Sequence, residues 1–267
     1  MENNFYNNKV VLITGSSMGI GKEIALQVLQ QGGKVILTGR NAERLEAAKN
    51  DFSQWKNNVL CHQGDVSNHK NNIDLIERII ETFGRLDVLI NNAGLSCFGA
   101  VDQMDADVAK QIIDTNIYGS LYPVMAALPE LKKSKGTILF ISSIAGFHGL
   151  PGYSAYSLSK MSLKALAQSL SVELKSSGVS VCISYVGFTE NENEKKTLAP
   201  NGEWVKVPTR NKQLTVSRYS TASKILSQIK NKKHSYTHSM VGGLTNVMSR
   251  MFPYLTTSIL SMNYKNA

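Results

Sequence analysis

Short runs of β-branched and aliphatic residues alternate, over the first 190 residues, with longer stretches whose apolar side chains recur at helical spacing. Uniformly apolar runs of this kind are typical of strands that are covered on both faces. Strands joined by helices in this rhythm predict an α/β fold, in which a single domain holds a doubly wound parallel sheet with helices on both faces. The predicted strands lie at 9–14, 35–38, 59–62, 86–90, 137–141 and 179–184.

The composition excludes several other classes of protein. With 42% hydrophobic and 18% charged residues among 267, the chain is expected to be globular rather than disordered. No uninterrupted apolar stretch reaches about 18 residues, and the first residues do not join a basic region to an apolar run, so neither a spanning helix nor a secretory signal is predicted. Cys61, Cys97 and Cys182 are isolated and form no CxxC pair. A reducing, cytoplasmic location is therefore expected, and no metal site is predicted.

The positive charge is concentrated in the last third of the chain. The formal net charge is +9, of which +8 falls within 190–267. Such an end is either solvated surface or attracts an acidic partner, which would be membrane headgroups, a nucleic acid or an anionic substrate. Nucleic-acid binding is not expected, because Trp204, Tyr219 and Tyr236 are too scattered to form a stacking surface among the basic residues.

The regular alternation ends near residue 190. A polar segment with two prolines follows, and we predict a substrate lid over 190–215. A C-terminal extension over 241–267 is both apolar and basic. Its many Met, Leu, Ile and Phe side chains predict one of three roles: it covers a hydrophobic pocket, makes peripheral contact with a membrane surface, or packs against the domain or a partner subunit.

A glycine-rich turn lies between the first predicted strand and the first predicted helix. Residues 14–21 read TGSSMGIG, with Gly15, Gly19 and Gly21 spaced as GxxxGxG. Glycines at a strand–turn–helix junction let the backbone approach a pyrophosphate, and the start of the helix offers N–H groups and partial positive charge. The pattern therefore predicts a Rossmann-type dinucleotide site that also includes Ser17 and Ile20.

The end of the second strand indicates which dinucleotide is bound. Proteins that bind NAD commonly place an acidic residue there for the ribose 2′-hydroxyl. This chain instead has Thr38-Gly39-Arg40-Asn41, so that the Arg40 guanidinium can meet a 2′-phosphate, although it can also be an ordinary surface arginine. The predicted cofactor is NADP(H).

Together these motifs resemble the short-chain dehydrogenase/reductase family. Residues 14–21 match its TGxxxGxG turn, 91–94 match its NNAG segment, and 156–160 match its YxxxK motif. Asn116 and Ser143 stand where the family has its active-site asparagine and serine, and the serine precedes the tyrosine by the usual thirteen residues. The resemblance covers about residues 8–190.

The chemistry of three side chains supports this resemblance. Tyr156 and Lys160 are four residues apart, so they share one face of a helix. A phenol with a pKa of about 10 is a poor acid–base catalyst near neutral pH, and a nearby ammonium lowers that pKa. Ser143 can donate a hydrogen bond to a carbonyl oxygen that gains negative charge as hydride arrives.

The resemblance implies a role for each matched residue. Tyr156 would exchange the proton, Lys160 would also bind the nicotinamide ribose, Ser143 would polarise the carbonyl, and Asn116 would hold a water in a proton relay. Asp65 and Val66 match the positions that flank the adenine, and further cofactor contacts would come from Asn92, Ala93, Gly94, Val186, Gly187 and Thr189. Association as a homodimer or homotetramer is also implied.

The chain departs from the family pattern at two places. Met18 stands where NADP-dependent members often carry a basic residue, so Arg40 would carry most of the 2′-phosphate recognition. The usual Pro-Gly after the sixth strand is Val186-Gly187, and the threonine expected near the nicotinamide amide is displaced, with Thr189 two and Asn191 four residues beyond Gly187.

The resemblance implies interconversion of a ketone and a secondary alcohol. The basic, apolar end is similar to that of members that reduce long-chain or steroidal ketones, including the 3-ketodihydrosphingosine reductase type, so a hydrophobic, lipid-like carbonyl or alcohol substrate is predicted. Two alternatives stay open: a reductase of small 3-oxoacyl thioesters or polyols, and a non-catalytic protein that senses NADP. The complete set of catalytic groups disfavours the sensor, because a sensor does not need them.

Overall fold

A computed structural model describes residues 4–190, 196–207 and 215–264. Seven strands form one parallel sheet in the order β3-β2-β1-β4-β5-β6-β9, and β7 and β8 pair separately as an antiparallel hairpin. The strands are β1 (Val10–Ile13), β2 (Lys34–Gly39), β3 (Val59–Gln63), β4 (Val88–Asn91), β5 (Thr137–Ser143), β6 (Ser180–Val186), β7 (Lys196–Leu198), β8 (Trp204–Lys206) and β9 (Ser235–Thr237).

Helices cover the sheet on both faces. They are α1 (Gly19–Gln30), α2 (Ala42–Asp51), α3 (His69–Phe83), α4 (Ala106–Ile113), α5 (Gly119–Ser134), α6 (Ser154–Glu173), α7 (Arg218–Lys230), α8 (Met240–Met251) and α9 (Pro253–Asn263). One apolar core lies under α1, α2 and α7, and a second lies under α3, α5 and α6. This is the predicted doubly wound α/β fold, and the six predicted strands are confirmed to within two residues at each end.

The seventh strand of the sheet was not predicted. β9 is only three residues long and reads Ser-Tyr-Thr, so it lacks the apolar run that identified the other strands. It pairs in parallel with β6, from Ile183 opposite Ser235 to Tyr185 opposite Thr237. The Gln228 side chain of α7 supports this edge, because its amide donates to the carbonyls of Ile183 (3.0 Å) and Lys233 (2.9 Å).

The ends of the chain also differ in detail from the predictions. The described part of the predicted lid holds the β7–β8 hairpin, whereas 191–195 and 208–214 lie outside the described residues. The apolar C-terminal segment forms α8 and α9, which meet at Pro253. Within the described residues, no helix is long and apolar enough to cross a membrane.

The buried carboxylate of Asp87, which precedes β4, anchors the start of the neighbouring strand β1. Asp87 is 3% exposed, accepts a hydrogen bond from the Val10 backbone N–H (2.9 Å) and pairs with the Arg85 guanidinium (2.6 and 3.0 Å). Asp87→Ala leaves the buried Val10 N–H without its acceptor, so it should lower the free energy of unfolding by about 2–3 kcal/mol in urea titrations. Arg85→Ala is the control and should cost less than about 1 kcal/mol, because Arg85 is more than half exposed and Lys9 still lies 3.9 Å from the Asp87 carboxylate. Equal losses in the two variants would contradict this account.

Candidate active site

The glycine turn and the turn after β4 are joined by hydrogen bonds at the carboxyl edge of the sheet. The Thr14 hydroxyl accepts from the backbone N–H groups of Asn92 and Ala93, both at 3.0 Å. The Asn92 side-chain amide donates in return to the carbonyls of Thr14 (2.8 Å) and Gly15 (2.9 Å). The two predicted cofactor-binding segments are thus held together where β1 and β4 are neighbours.

Two of the predicted glycines are required by this geometry. Gly15 has φ +61°, and a Cβ there would lie 2.8 Å from the Cα of Ala93. A Cβ on Gly21 would lie 2.5 Å from Nδ2 of Asn92. Gly19 also has positive φ, but a Cβ there would meet no described atom within 4 Å, so its outer side is open.

The start of α1 fits a dinucleotide phosphate. The helix begins at Gly19 and continues through Ile20, and the Met18 side chain at its N-cap makes no capping hydrogen bond within the described residues. Backbone N–H groups at the start of a helix, with space beside Gly19, suit a pyrophosphate. Ser17 lies against the end of β2, where a Cβ on Gly39 would be 3.1 Å from its Oγ.

Ser16, which the sequence analysis did not select, fixes this turn to β2. Its hydroxyl donates to the carbonyl of Ile13 (2.7 Å) and accepts from the backbone N–H of Thr38 (3.0 Å). Its own backbone N–H donates to the carbonyl of Thr38 (2.9 Å). A serine directly after the first glycine resembles any turn residue in sequence, so only the fold reveals this contact.

Two arginines lie near the end of β2. Arg40 pairs with Asp65 at 3.8 Å, and both side chains are partly exposed. The Arg44 guanidinium lies 3.8 Å from the sulfur of Met18. Arg44 was not selected from sequence, but the structure brings it from α2 to the Met18 side chain at the start of α1.

The predicted adenine-flanking residues lie at the end of β3. The Asp65 carboxylate also accepts from the Ser67 backbone N–H (2.9 Å) and hydroxyl (2.7 Å), which fixes its orientation. The Val66 carbonyl accepts from the Asn72 side chain (2.9 Å), and a small hollow beside Asp65 and Val66 also reaches Thr38.

Asn116 lies in a π-helical turn, 114–118, that separates α4 from α5. Such turns are frequent at functional sites, because the inserted residue redirects side chains. The Asn116 side chain is fully buried, accepts from the Leu95 N–H (2.7 Å), and donates to the Leu95 carbonyl (2.9 Å) and the Ser159 hydroxyl (2.8 Å). Ser159 was not selected from sequence, and it in turn donates to the carbonyl of Tyr156 (2.7 Å).

Lys160 is held between α6 and β5. It is 6% exposed, and its ammonium donates to the carbonyl of Ile141 (3.0 Å). The Ser142 hydroxyl donates to the carbonyl of Lys160 (3.0 Å), so two hydrogen bonds fix this turn of α6 to the strand. A Cβ on Gly94 would lie 3.2 Å from Oδ1 of Asn116 and 3.3 Å from Nζ of Lys160, so these three predicted residues are neighbours.

Tyr156 and Ser143 lie beside this group. The Lys160 ammonium is 5.9 Å from the centre of the Tyr156 ring. Ser143 ends β5, opposite Val186 of β6, and its hydroxyl accepts from the Ala145 N–H (3.3 Å). The sequence motif therefore folds so that the tyrosine, serine and lysine belong to two adjoining elements at the same edge of the sheet.

The described part of the predicted lid covers this edge. The Leu198 backbone N–H donates to the carbonyl of Ser96 (3.1 Å), and the Asp105 N–H donates to the carbonyl of Pro200 (2.9 Å). A small apolar cluster forms beneath the hairpin from Cys97, Val108, Ile112, Ala155 and Leu198. Since Ala155 precedes Tyr156, the hairpin packs next to the candidate catalytic tyrosine.

The loop after β6 is turned toward α7 and α8. A Cβ on Gly187 would lie 3.1 Å from the Ser239 hydroxyl, and Val186 is buried at the end of the strand. The Thr189 hydroxyl, predicted to lie near the nicotinamide amide, is 3.2 Å from the Thr221 hydroxyl of α7.

The family model described as short chain dehydrogenase matches residues 9–201. The chain belongs to the short-chain dehydrogenase family. Members of this family are oxidoreductases that use a nicotinamide cofactor, which agrees with the glycine turn and with the grouping of Gly94, Asn116 and Lys160. The resemblance stated from the motifs is thereby confirmed.

Relatives of this family member include two named lipid reductases. It is 36% identical to a 3-dehydrosphinganine reductase of Danio rerio over 204 residues, and this alignment covers 72% of this chain and 61% of that protein. It is also 36% identical to a 3-ketodihydrosphingosine reductase of Bos taurus over 199 residues, and this alignment covers 70% of this chain and 60% of that protein. The chain thus spans about 60% of the length of these relatives.

Solved structures of the family share the fold. A short-chain dehydrogenase from Streptomyces avermitilis matches with a TM-score of 0.80 at 22% identity, over 97% of this chain and 99% of that one. An NAD+-bound xylitol dehydrogenase matches with a TM-score of 0.65 at 27% identity, over 70% and 73%.

The Gly15 position provides a test of the turn. Gly15→Ala forces a Cβ against the Ala93 backbone at positive φ, so it should lower the free energy of unfolding by roughly 1–3 kcal/mol. Gly243→Ala on α8 is the control: its Cβ meets no described atom within 4 Å, and an alanine inside a helix should be neutral or stabilising. Urea unfolding measures both. An unchanged midpoint for Gly15→Ala would show that this close approach does not exist.

Proposed function

We propose that this chain is an NADP(H)-dependent reductase that interconverts a hydrophobic ketone and its secondary alcohol. The observation that carries the proposal is the convergence of Gly94, Asn116 and Lys160 at one point of the carboxyl edge, with Tyr156 and Ser143 beside it. This set supplies an acid–base group, a cation and a carbonyl-binding hydroxyl next to a dinucleotide turn.

The cofactor would be held by the groups that fit it. The start of α1 at Gly19 and Ile20, with space beside Gly19, suits the pyrophosphate, and Asp65 and Val66 after β3 would flank the adenine. The Asn92–Gly94 turn would line the middle of the crevice, and Val186, Gly187 and Thr189 its nicotinamide end. NADPH, when bound, supplies the hydride that reduces the carbonyl carbon.

The protein's own groups would manage the proton. Ser143 would donate a hydrogen bond to the substrate oxygen, and Tyr156 would give that oxygen its phenolic proton in reduction and take it back in oxidation. The Lys160 ammonium stabilises a phenolate electrostatically, because the two groups share one helix face. Asn116, fixed by Leu95 and Ser159, would hold the end of a proton relay.

Two cations support a preference for NADP over NAD. Arg40 follows β2, where NAD-binding proteins of this fold commonly carry an acidic residue. Arg44 lies against Met18 and would supply from α2 the positive charge that the glycine turn lacks. Asp65, 3.8 Å from Arg40, would keep that guanidinium oriented rather than neutralise it, because both are partly exposed.

An aromatic row supports a hydrophobic substrate. The ring centres of Phe98 and Tyr153 are 5.0 Å apart, and those of Tyr153 and Tyr156 are 6.2 Å apart. Phe98 is 43% exposed, so the row leads from the surface toward the candidate catalytic tyrosine. An apolar approach suits a long-chain ketone better than a polyol, and two relatives are named as a 3-dehydrosphinganine reductase and a 3-ketodihydrosphingosine reductase.

The outer faces of two long helices support a homodimer or homotetramer. α5 exposes Met125, and α6 exposes Leu158, Met161 and Val172. Exposed apolar side chains on neighbouring helices are typical of subunit contacts.

The first test of this function replaces the catalytic tyrosine. Tyr156→Phe keeps the ring but loses the proton, so kcat should fall by about 10²- to 10⁴-fold while NADPH affinity changes little. Rate assays with a long-chain ketone measure kcat, and fluorescence titration measures the affinity for NADPH. Tyr122→Phe, on α5, is the control and should retain full activity. Turnover near the wild-type rate in Tyr156→Phe would disprove the mechanism.

The second test concerns the cofactor. Arg40→Asp should weaken NADPH binding about ten- to a hundredfold, because a charge-assisted contact worth roughly 1.5–3 kcal/mol becomes a repulsion. Arg44→Ala should weaken NADPH binding several-fold, and neither variant should weaken NADH binding. Lys132→Ala, which removes a positive charge from α5, controls for net charge. Preference of the wild-type protein for NADH would refute the assignment of both arginines.

A further inference from the structure

The two C-terminal helices turn their apolar side chains outward. On α8, Met240, Leu244 and Met251 are 92%, 65% and 68% exposed, and Val247 lies on the same stripe. The stripe continues on α9 through Leu255, Ile259 and Met262. A helix packed on a water-soluble domain normally shows the opposite arrangement, with its apolar stripe toward the core. We call these seven exposed residues the C-terminal apolar face.

The opposite side of these helices is small or polar. Gly242 of α8 is buried, and a Cβ there would lie 2.8 Å from the Thr237 side chain and 3.3 Å from that of Ile144. Thr256 of α9 is also buried. The helices thus attach to the domain mainly through small or polar residues, with Met248 and Leu260 partly buried beside them, and the seven side chains of the apolar face are left for another surface.

This face starts beside the candidate active site. The Ser239 hydroxyl caps α8 by accepting from the Gly242 N–H (3.1 Å), and it lies next to Gly187 at the nicotinamide end of the crevice. Ile144, which the same turn contacts, follows Ser143. An apolar molecule held against the face at Met240 would therefore be close to the catalytic edge.

The charges around the face favour an anionic partner. Residues 240–264 contain Arg250 and no Asp or Glu. Arg250 lies near Lys164 of α6, and burial together with this repulsion lowers the pKa of Lys164. A second copy of this segment would bring no carboxylate to these cations, whereas the phosphates of an anionic bilayer would pair with both. Tyr254, 91% exposed, is a side chain typical of membrane interfaces.

We propose that the C-terminal apolar face docks peripherally on an anionic lipid bilayer. The helices lie in the interface rather than across it, and their Met, Leu, Val and Ile side chains enter the acyl boundary. Docking itself does not depend on the proposed reductase activity; the supply of a lipid-like ketone to the crevice from the same bilayer rests on that function.

Vesicle co-sedimentation of the full chain tests the docking. The protein should bind vesicles of phosphatidylcholine with phosphatidylglycerol, and added salt or omission of the anionic lipid should weaken this binding. Leu244→Asp with Val247→Asp should weaken it at least about tenfold. Met240→Asp should also weaken vesicle binding. Because the Met240 side chain is almost fully exposed, this substitution removes few contacts and controls for misfolding of the double variant. Ile73→Asp, an exposed apolar residue of α3, is the control and should bind like the wild-type protein.

Two results would overturn the proposal. One is failure of the wild-type protein to bind anionic vesicles at low salt. The other is normal vesicle binding by the double variant; if an oligomer also dissociates in sedimentation equilibrium, the face is a contact between copies. Reduction of a water-soluble ketone should be equal in the wild-type and variant proteins. Absence from both proteins of activity on this ketone and on a detergent-dispersed long-chain ketone, with wild-type vesicle binding intact, would refute the proposed function and leave the docking standing.

Discussion

The hydrogen bonds between Thr14 and Asn92 fix the position of the whole candidate site. They join the turn after β1 to the turn after β4, and the helices that follow these two strands cover opposite faces of the sheet. Because these helices diverge to opposite faces, they leave a crevice outside the carboxyl ends of β1 and β4, which is where dinucleotides bind in this fold. The open start of α1 and the group around Gly94 both line that crevice because this junction holds them together.

Rigid packing then brings the candidate catalytic groups to the crevice. The π-helical turn at Asn116 and the hydrogen bonds between α6 and β5 bury an amide and an ammonium beside Gly94. A buried ammonium is costly unless polar groups accept its hydrogen bonds, and the Ile141 carbonyl is one such acceptor. The same burial keeps its positive charge close to the Tyr156 ring, where water screens it little.

The parts of the site that the sequence predicted depend on local patterns. Gly15 and Gly21 are needed where backbone or side-chain atoms come within 3 Å, and Tyr156 and Lys160 share a helix face through their spacing alone. Ser16, Arg44 and Ser159 were missed because their partners lie in distant segments. β9 was missed because three polar residues carry no strand signal, and it forms only because β6 presents an edge for it.

The C-terminal segment separates what the sequence determined from what the tertiary structure decided. The sequence by itself predicted the doubly wound sheet, the glycine turn, the candidate catalytic residue types and an apolar, basic end, because each follows from periodicity or from spacing within one segment. Helical periodicity is the same whether an apolar stripe faces the core or the solvent. Only the tertiary structure decided the direction, because Gly242 fits against Thr237 and Ile144, where a larger side chain would clash, and that contact turns Leu244 and Met251 outward.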